Sequence, residues 1–168
     1  MMKVVTYPSD ILKQRSKIVE VITDEERSQL DEMYRIMRDS NGIGLAAPQV
    51  GIHKRMVVIQ IEDAEPIFMI NPKIIGRSDS AVLFNEGCLS LPGAYFDVIR
   101  NEQVECRYTN LNNEEVIIKA DGILAVCIQH ELDHLDGKLF IDRLSKRERA
   151  IVLKKYFGKQ EEKTCDIQ

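Results

Sequence analysis

No stretch of this chain approaches the ~20 consecutive apolar residues that a bilayer-spanning helix needs, so nothing in it reads as a membrane span. The first residues, Met1-Met2-Lys3-Val4-Val5-Thr6-Tyr7-Pro8, show neither the apolar run of a signal peptide nor the Arg and Ser richness of a transit peptide. The expected compartment is therefore the cytoplasm. Excess charge of one sign is also missing. Lys and Arg number 23 against 27 Asp and Glu, a net charge of −4, which argues against a general nucleic-acid or membrane binder. Cys88, Cys106, Cys127 and Cys165 are scattered without a close-spaced pair, in a chain too large to need disulfide staples. Reduced thiols are expected, one of them free to serve as a metal ligand. There are no internal repeats and no low-complexity linker. The 168 residues, 44% of them apolar, are enough for one domain with a real core over 1–168.

Histidine is scarcer still, and two of the three lie in one short run. Gln129-His130-Glu131-Leu132-Asp133-His134-Leu135 contains an H-E-x-x-H pattern. On a helix of about 3.6 residues per turn, positions i and i+4 share a face, so both imidazoles can reach one ion. Glu131 follows the first histidine and can sit beside a metal-bound water, where a general base is needed. The pattern alone is also compatible with two partly buried histidines and a surface glutamate.

Thr23-Asp24-Glu25-Glu26 predicts a capping box that opens a helix. Its apolar positions Leu30, Met33 and Met37 recur at helical spacing, and Ser40-Asn41-Gly42 stops it. Short β-branched and aromatic runs predict strands at 57–61, 67–70, 81–84, 95–99, 104–108 and 116–119, punctuated by Pro66, Pro72, Gly76, Gly93 and Asn112-Asn113. From Gly122 to Leu135 the chain is apolar nearly all round, which marks a helix crossing the core and ending at Asp136-Gly137. A last helix starts at Ser145, with Glu148 completing a second capping box. Strands grouped in the middle and helices towards both ends predict an α+β fold, the H-E-x-x-H helix sandwiched against the sheet.

A catalytic metal of this kind takes three protein ligands and leaves one position open. His53 stands in a probable basic turn and reads as solvent-exposed. Cys127 is seven residues from His134, roughly 10 Å along the helix axis, and reads as pocket wall or core. Asp136 and Asp142 follow the helix end, where carboxylates more often serve caps and surface pairs. Cys88, in Asn85-Glu86-Gly87-Cys88-Leu89-Ser90 just after a predicted strand, is the better candidate. A further segment, Gly42-Ile43-Gly44-Leu45-Ala46-Ala47-Pro48-Gln49, leaves backbone amides accessible beside a tight space and places an amide donor after a rigid proline. By itself it reads as a loop–strand connection with small residues for packing. No lysine follows in the manner of a P-loop, so phosphate cradling is not expected.

Together, Gly42–Gln49, Glu86–Ser90 and Gln129–His134 resemble, in order, the three motifs G-x-G-L-A-A-x-Q, E-G-C-L-S and Q-H-E-x-D-H of the peptide deformylases. The resemblance runs from Tyr7-Pro8 to the C-terminal helix. It implies an α+β fold with antiparallel sheets packed around the central helix, and an enzyme that removes the N-formyl group from the formyl-methionine of newly made polypeptides. Formate would be released by attack of a metal-bound hydroxide. It further implies Cys88, His130 and His134 as metal ligands, Glu131 as the acid/base, and Gln49 with the backbone amide of Leu89 as the oxyanion site. Ile43, Gly44, Glu86, Gly87, Ile123, Val126 and Cys127 would bind the substrate. The implied cofactor is one divalent ion, Fe²⁺ in the cell, with Zn²⁺, Ni²⁺ or Co²⁺ as alternatives. The implied partners are formylmethionyl polypeptides and, through basic residues of the last helix, the ribosome; neither a membrane nor DNA is expected. One departure is Tyr95, where many members carry arginine near the pocket mouth. An H-E-x-x-H metallopeptidase lacks a convincing downstream ligand here, and an inactive binding module is disfavoured because Glu131 and Gln49 are both present.

Overall fold

The computed structural model describes residues 2–165, with side chains described as far as Gln160. Helix α1 (Asp24–Asp39) is followed by strands β1 (Gly44–Ala46), β2 (Met56–Ile59), β3 (Ile67–Arg77), β4 (Ala81–Cys88), β5 (Leu91–Asn101), β6 (Gln103–Thr109) and β7 (Glu115–Asp121). Helices α2 (Gly122–Leu135) and α3 (Lys146–Cys165) complete the α+β arrangement. Both capping boxes form. The Thr23 amide donates to Glu26 Oε2 at 2.9 Å, and the Ser145 amide to Glu148 Oε2 at 2.9 Å. Their reciprocal bonds run from Glu25 N–H to Thr23 Oγ1 and from Glu148 N–H to Ser145 Oγ.

Two antiparallel sheets result. Five strands pair in the order β1-β2-β3-β6-β7, and β4 pairs with β5 as a separate hairpin. β2 is buried throughout, because both faces of the larger sheet are covered. Val57 and Ile59 join Ala125, Ile128, Leu132 and Leu135 of α2 in one core cluster. Met56 and Val58 point the other way, onto Leu30, Met33 and Met37 of α1. This is the period-two alternation of a strand meeting the 3.6-residue stripe of a helix on either side. A third cluster packs Leu91, Ala94 and Val98 of β5 against Val152 and Tyr156 of α3. The H-E-x-x-H helix is thus held between the five-stranded sheet and the hairpin.

The strand interiors lie where alternation places them, but several edges do not. β3 continues through Pro72 and Gly76 to Arg77, with register shifts against β6 between Ile70 and Lys73 and between Ile74 and Gly76. A bulge absorbs the residue that cannot donate to the ladder, so proline bends this strand without ending it. β2 ends at Ile59 rather than at the expected Ile61. Within Gly42–Gln49 the expected connection contains a short edge strand, β1, followed by a 3-10 turn over Ala47–Val50.

Candidate active site

Helix α2 puts His130 and His134 one turn apart on the same face, with their Nε2 atoms 3.2 Å from one another. β4 ends at Cys88, whose Sγ lies 3.2 Å from His134 Nε2. The three ligand atoms all fall within 4.8 Å of one another, and among the described residues no other group of this kind forms. A tetrahedral ion with bonds of 2.0–2.3 Å needs ligand–ligand edges of about 3.3–3.6 Å, so this triangle fits a divalent metal closely. The donor set, one thiolate and two imidazoles, suits Zn²⁺, Fe²⁺, Co²⁺ or Ni²⁺ alike. The other candidates for third ligand are occupied elsewhere. Asp136 accepts from Arg55 at 2.8 Å, Asp142 accepts from the Leu139 amide at 2.9 Å, and the Cys127 thiol faces the Ile43 carbonyl at 3.8 Å. His53 departs from the exposed turn expected of it: it is half-buried, with its Nδ1 enclosed.

The first imidazole is oriented from behind. His130 Nδ1 meets Glu86 Oε2 at 2.8 Å, which directs Nε2 at the triangle. Both Glu86 oxygens also accept from Arg100, at 2.6 and 2.9 Å. Arg100 in turn donates to Asp133 at 2.6 Å, and Asp133 receives Arg143 at 2.5 and 3.0 Å. This chain of alternating charge runs from the triangle to the surface. Burial pushes the Glu86 carboxyl up, but the bonds from Arg100 and His130 outweigh it and hold the group at about 2. Burial pulls the His134 imidazole well below its usual range, helped by nearby His130 and Arg100, and so keeps that ring neutral and ready to ligate.

Glu131 shares the helix face and is 4% exposed. Burial raises its carboxyl to about 7, and its Oε2 has no hydrogen-bond partner among the described residues. Gly44 makes room for it. A Cβ at that position would lie 2.4 Å from Glu131 Oε1 and 2.7 Å from Cys127 Sγ, closer than any side chain can approach. Gln49 is fixed in one orientation, since its Oε1 accepts from the Ala46 amide at 2.9 Å. Its Nε2 is thereby turned towards Cys88 Sγ, at 3.5 Å, and Ser90 Oγ, at 3.2 Å.

Gln49, Cys88, His130 and Glu131 line a cleft of ≈ 500 Å³, with His134 buried behind them. Every residue named from sequence as acid/base, oxyanion donor or substrate contact lines it: Ile43, Gly44, Gln49, Glu86, Gly87, Leu89, Ile123, Val126, Cys127 and Glu131. Glu86 does so with its carboxylate already committed to Arg100 and His130. Tyr95 is 61% exposed at the mouth, its ring so close over Gly87 that a Cβ there would meet Cε1 at 2.4 Å. Phe84 and Pro92 also line the walls, though neither was named from sequence as a site residue. Arg100 and Arg143 were missed as well. The available signal for Arg100 was its place on the buried face of β5, in step with Ala94 and Val98, where a cation demands partners.

The comparisons with known proteins agree with this geometry. The polypeptide deformylase family profile matches residues 1–150. A peptide deformylase from Pelagibacter ubique is 43% identical over 156 residues, covering 90% of this chain and 91% of its own. One from Pseudoalteromonas translucida is 45% identical, covering 92% and 93%. Among solved structures, the peptide deformylase of Ehrlichia chaffeensis superposes with a TM-score of 0.92 at 36% identity, over 97% of this chain and 98% of that one. The Synechococcus elongatus enzyme in complex with actinonin gives 0.88 at 44% identity, over 92% and 86%. On motif, fold and site alike, this chain belongs to the polypeptide deformylase family.

Proposed function

We propose that this hydrolase removes the N-formyl group from new polypeptides at the Cys88–His130–His134 triangle, with Glu131 as the proton carrier. The observation that carries the reading is the meeting of three ligand atoms with an oriented amide donor and a buried carboxylate whose Oε2 has no hydrogen-bond partner among the described residues, beside one cleft. Cys88, His130 and His134 would hold a divalent ion, which would supply the acidity for water and the Lewis-acid pull on the formyl carbonyl. Glu131 takes a proton from the attacking water and returns it to the departing amine, as a carboxyl poised near 7 can do. The Gln49 Nε2–H and the backbone N–H of Leu89 donate to the oxygen on which charge develops. Formate and a free N-terminus are the products.

A small acyl group is the one expected here, since the backbone at Gly44 stands so near Glu131 that a Cβ would meet its Oε1 at 2.4 Å. Ile123, Val126 and Cys127 supply an apolar slot for the methionine side chain; burial, with Glu131 and Glu86 nearby, keeps the Cys127 thiol protonated. β1 is a terminal strand of its sheet, so an extended peptide can pair along Ile43 and Gly44, facing Gly87 and Leu89. No helix of the described residues is long and apolar enough to cross a membrane. Residues 1–168 are read as one catalytic domain acting in the cytoplasm, with Fe²⁺ as the cellular metal on the strength of the family resemblance. Exposed Lys146, Arg147, Lys154 and Lys155 on or at the start of α3 fit an anionic partner such as the ribosome, where the substrate is made.

The test is formate release from formyl-Met-Ala-Ser and acetyl-Met-Ala-Ser by protein prepared anaerobically with Fe²⁺. Turnover is expected on the formyl peptide alone. In Glu131→Gln it falls by at least about 100-fold while metal content stays near one per chain. Loss of the metal in that variant would reassign Glu131 to the ligand set.

A further inference from the structure

The first residues of the chain connect the oxyanion donors to the last helix. Val5 and Tyr7 pack on the third core cluster with exposed Thr6 between them, the alternation of an extended segment. Both of their amides are used by segments of the site. The Val5 N–H donates to the Gln49 carbonyl at 2.7 Å, and the Tyr7 N–H to the Ser90 carbonyl at 2.9 Å. The Tyr7 carbonyl accepts in turn from the Tyr156 hydroxyl of α3 at 3.0 Å. The Tyr7 ring also lies 6.3 Å from that of Tyr156 and 6.0 Å from that of Phe157. Tyr156 is 2% exposed, so this anchor belongs to the core.

The connection has a purpose because the two donors come from different parts of the fold. Gln49 stands in the turn that follows β1 of the five-stranded sheet, whereas Leu89 follows β4 of the hairpin, and no ladder joins the two sheets. One side-chain bond crosses between them directly, from Gln49 Nε2 to Ser90 Oγ. The backbone link is made by Val5 and Tyr7. Two residues of chain span at most about 7 Å, so the Gln49 and Ser90 carbonyls cannot separate while both amides stay bonded. α3 holds the same hairpin segment at a second point, where Lys159 Nζ donates to the Gly93 carbonyl at 3.3 Å. Val5, Tyr7 and Tyr156 do not line the catalytic cleft, so a loss of activity through them is not the loss of a substrate contact.

A donor stabilises a developing oxyanion only where the two meet, and a displacement of about 1 Å can cost about 100-fold in rate. We infer that Tyr156 is a positioning residue for deformylation. Acting through the Val5–Tyr7 segment, it sets the spacing between the Gln49 Nε2–H and the Leu89 N–H. This rests on the oxyanion roles proposed above for Gln49 and Leu89.

The experiment measures kcat and KM on formyl-Met-Ala-Ser with the Fe²⁺-loaded full chain. Tyr156→Phe keeps the ring contacts and removes the hydroxyl, and Val5→Pro removes one amide donor. Each is expected to lower kcat by about 3–30-fold, with KM within about twofold and metal content near one per chain, the signature of an interaction made in the transition state. A merely structural role would lower the melting temperature and leave kcat of the folded protein as it was. Each substitution is then combined with Gln49→Ala. The loss caused by Tyr156→Phe or Val5→Pro is expected to shrink at least about threefold in that background, because a donor that has been removed cannot be misplaced. Values of kcat within about twofold of wild type in both single variants overturn the inference, as do losses that multiply in full with that of Gln49→Ala. Undiminished kcat in Gln49→Ala alone overturns the oxyanion reading itself and the inference with it, and that single variant tells the two failures apart.

Discussion

Gly44 shapes the chemistry by having nothing beyond its Cα. The space a side chain would fill is taken by the Glu131 carboxylate and the Cys127 thiol. Gly44→Ala is expected to displace Glu131 and reduce kcat on a formyl peptide by at least about 100-fold, with the metal retained because the atoms a Cβ there would meet first belong to Glu131 and Cys127. A kinetic assay paired with metal analysis separates this from a folding defect. Arg100 acts at greater distance. It is 3% exposed and holds two carboxylates, one of which orients His130. Arg100→Met removes one of two partners from each buried carboxylate, leaving Asp133 with Arg143 and Glu86 with His130, so a loss of about 3 kcal/mol in urea unfolding is expected. A purely structural role would stop there. A positioning role predicts in addition a 10–100-fold weaker grip on the metal, read by competition with a chelator.

At the scale of elements, the start of α1 is tied to the segment leading into β2 through Lys54, which donates to Glu26 at 2.6 Å and to Glu25 at 3.0 Å. The bonds from Lys54 and Thr23, set against burial, lower the Glu26 carboxyl from 4.5 to about 2. Because the folded value lies below the unfolded one, this contribution is complete above about pH 4.5 and is lost as pH falls towards 2. The stability difference between wild type and Lys54→Met should therefore be largest near neutrality and shrink between pH 4.5 and 2.5 in denaturant titrations. A constant difference would mean that Lys54 acts through packing alone. The helices were legible in the sequence because caps and apolar periodicity are local signals, as Thr23, Glu26 and the Leu30-Met33-Met37 stripe show. Strand limits were less so. Pro72 and Gly76 carry the marks of a break, yet β3 passes through both, since pairing with β6 tolerates register shifts that only the partner strand can specify. The site divides in the same way. Cys88, His130, Glu131 and Gln49 stand in recognisable motifs, whereas Arg100 and Arg143 reach it from segments that no local pattern connects.

For the molecule as a whole, the metal is expected to act as a stabilising ligand as well as a reagent. It binds the folded arrangement of Cys88, His130 and His134, which the unfolded chain does not preserve. Chelation should abolish turnover and lower the melting temperature by roughly 10 °C for an ion present at about a thousand times its dissociation constant. Melting that ignores the chelator would mean that the triangle is held without an ion.

The hairpin of β4 and β5 forms no ladder with the five-stranded sheet, and Cys88 stands at its tip while both imidazoles belong to a helix locked in the main core. One ligand therefore comes from a hairpin that is fastened to α2 side chain by side chain, through Glu86–His130 and Arg100–Asp133, and two come from α2 itself. To release a captured ion by lifting that hairpin, the molecule would first have to break the buried ion pairs, so the lock on the metal lies as much in Arg100 as in the three coordinating atoms.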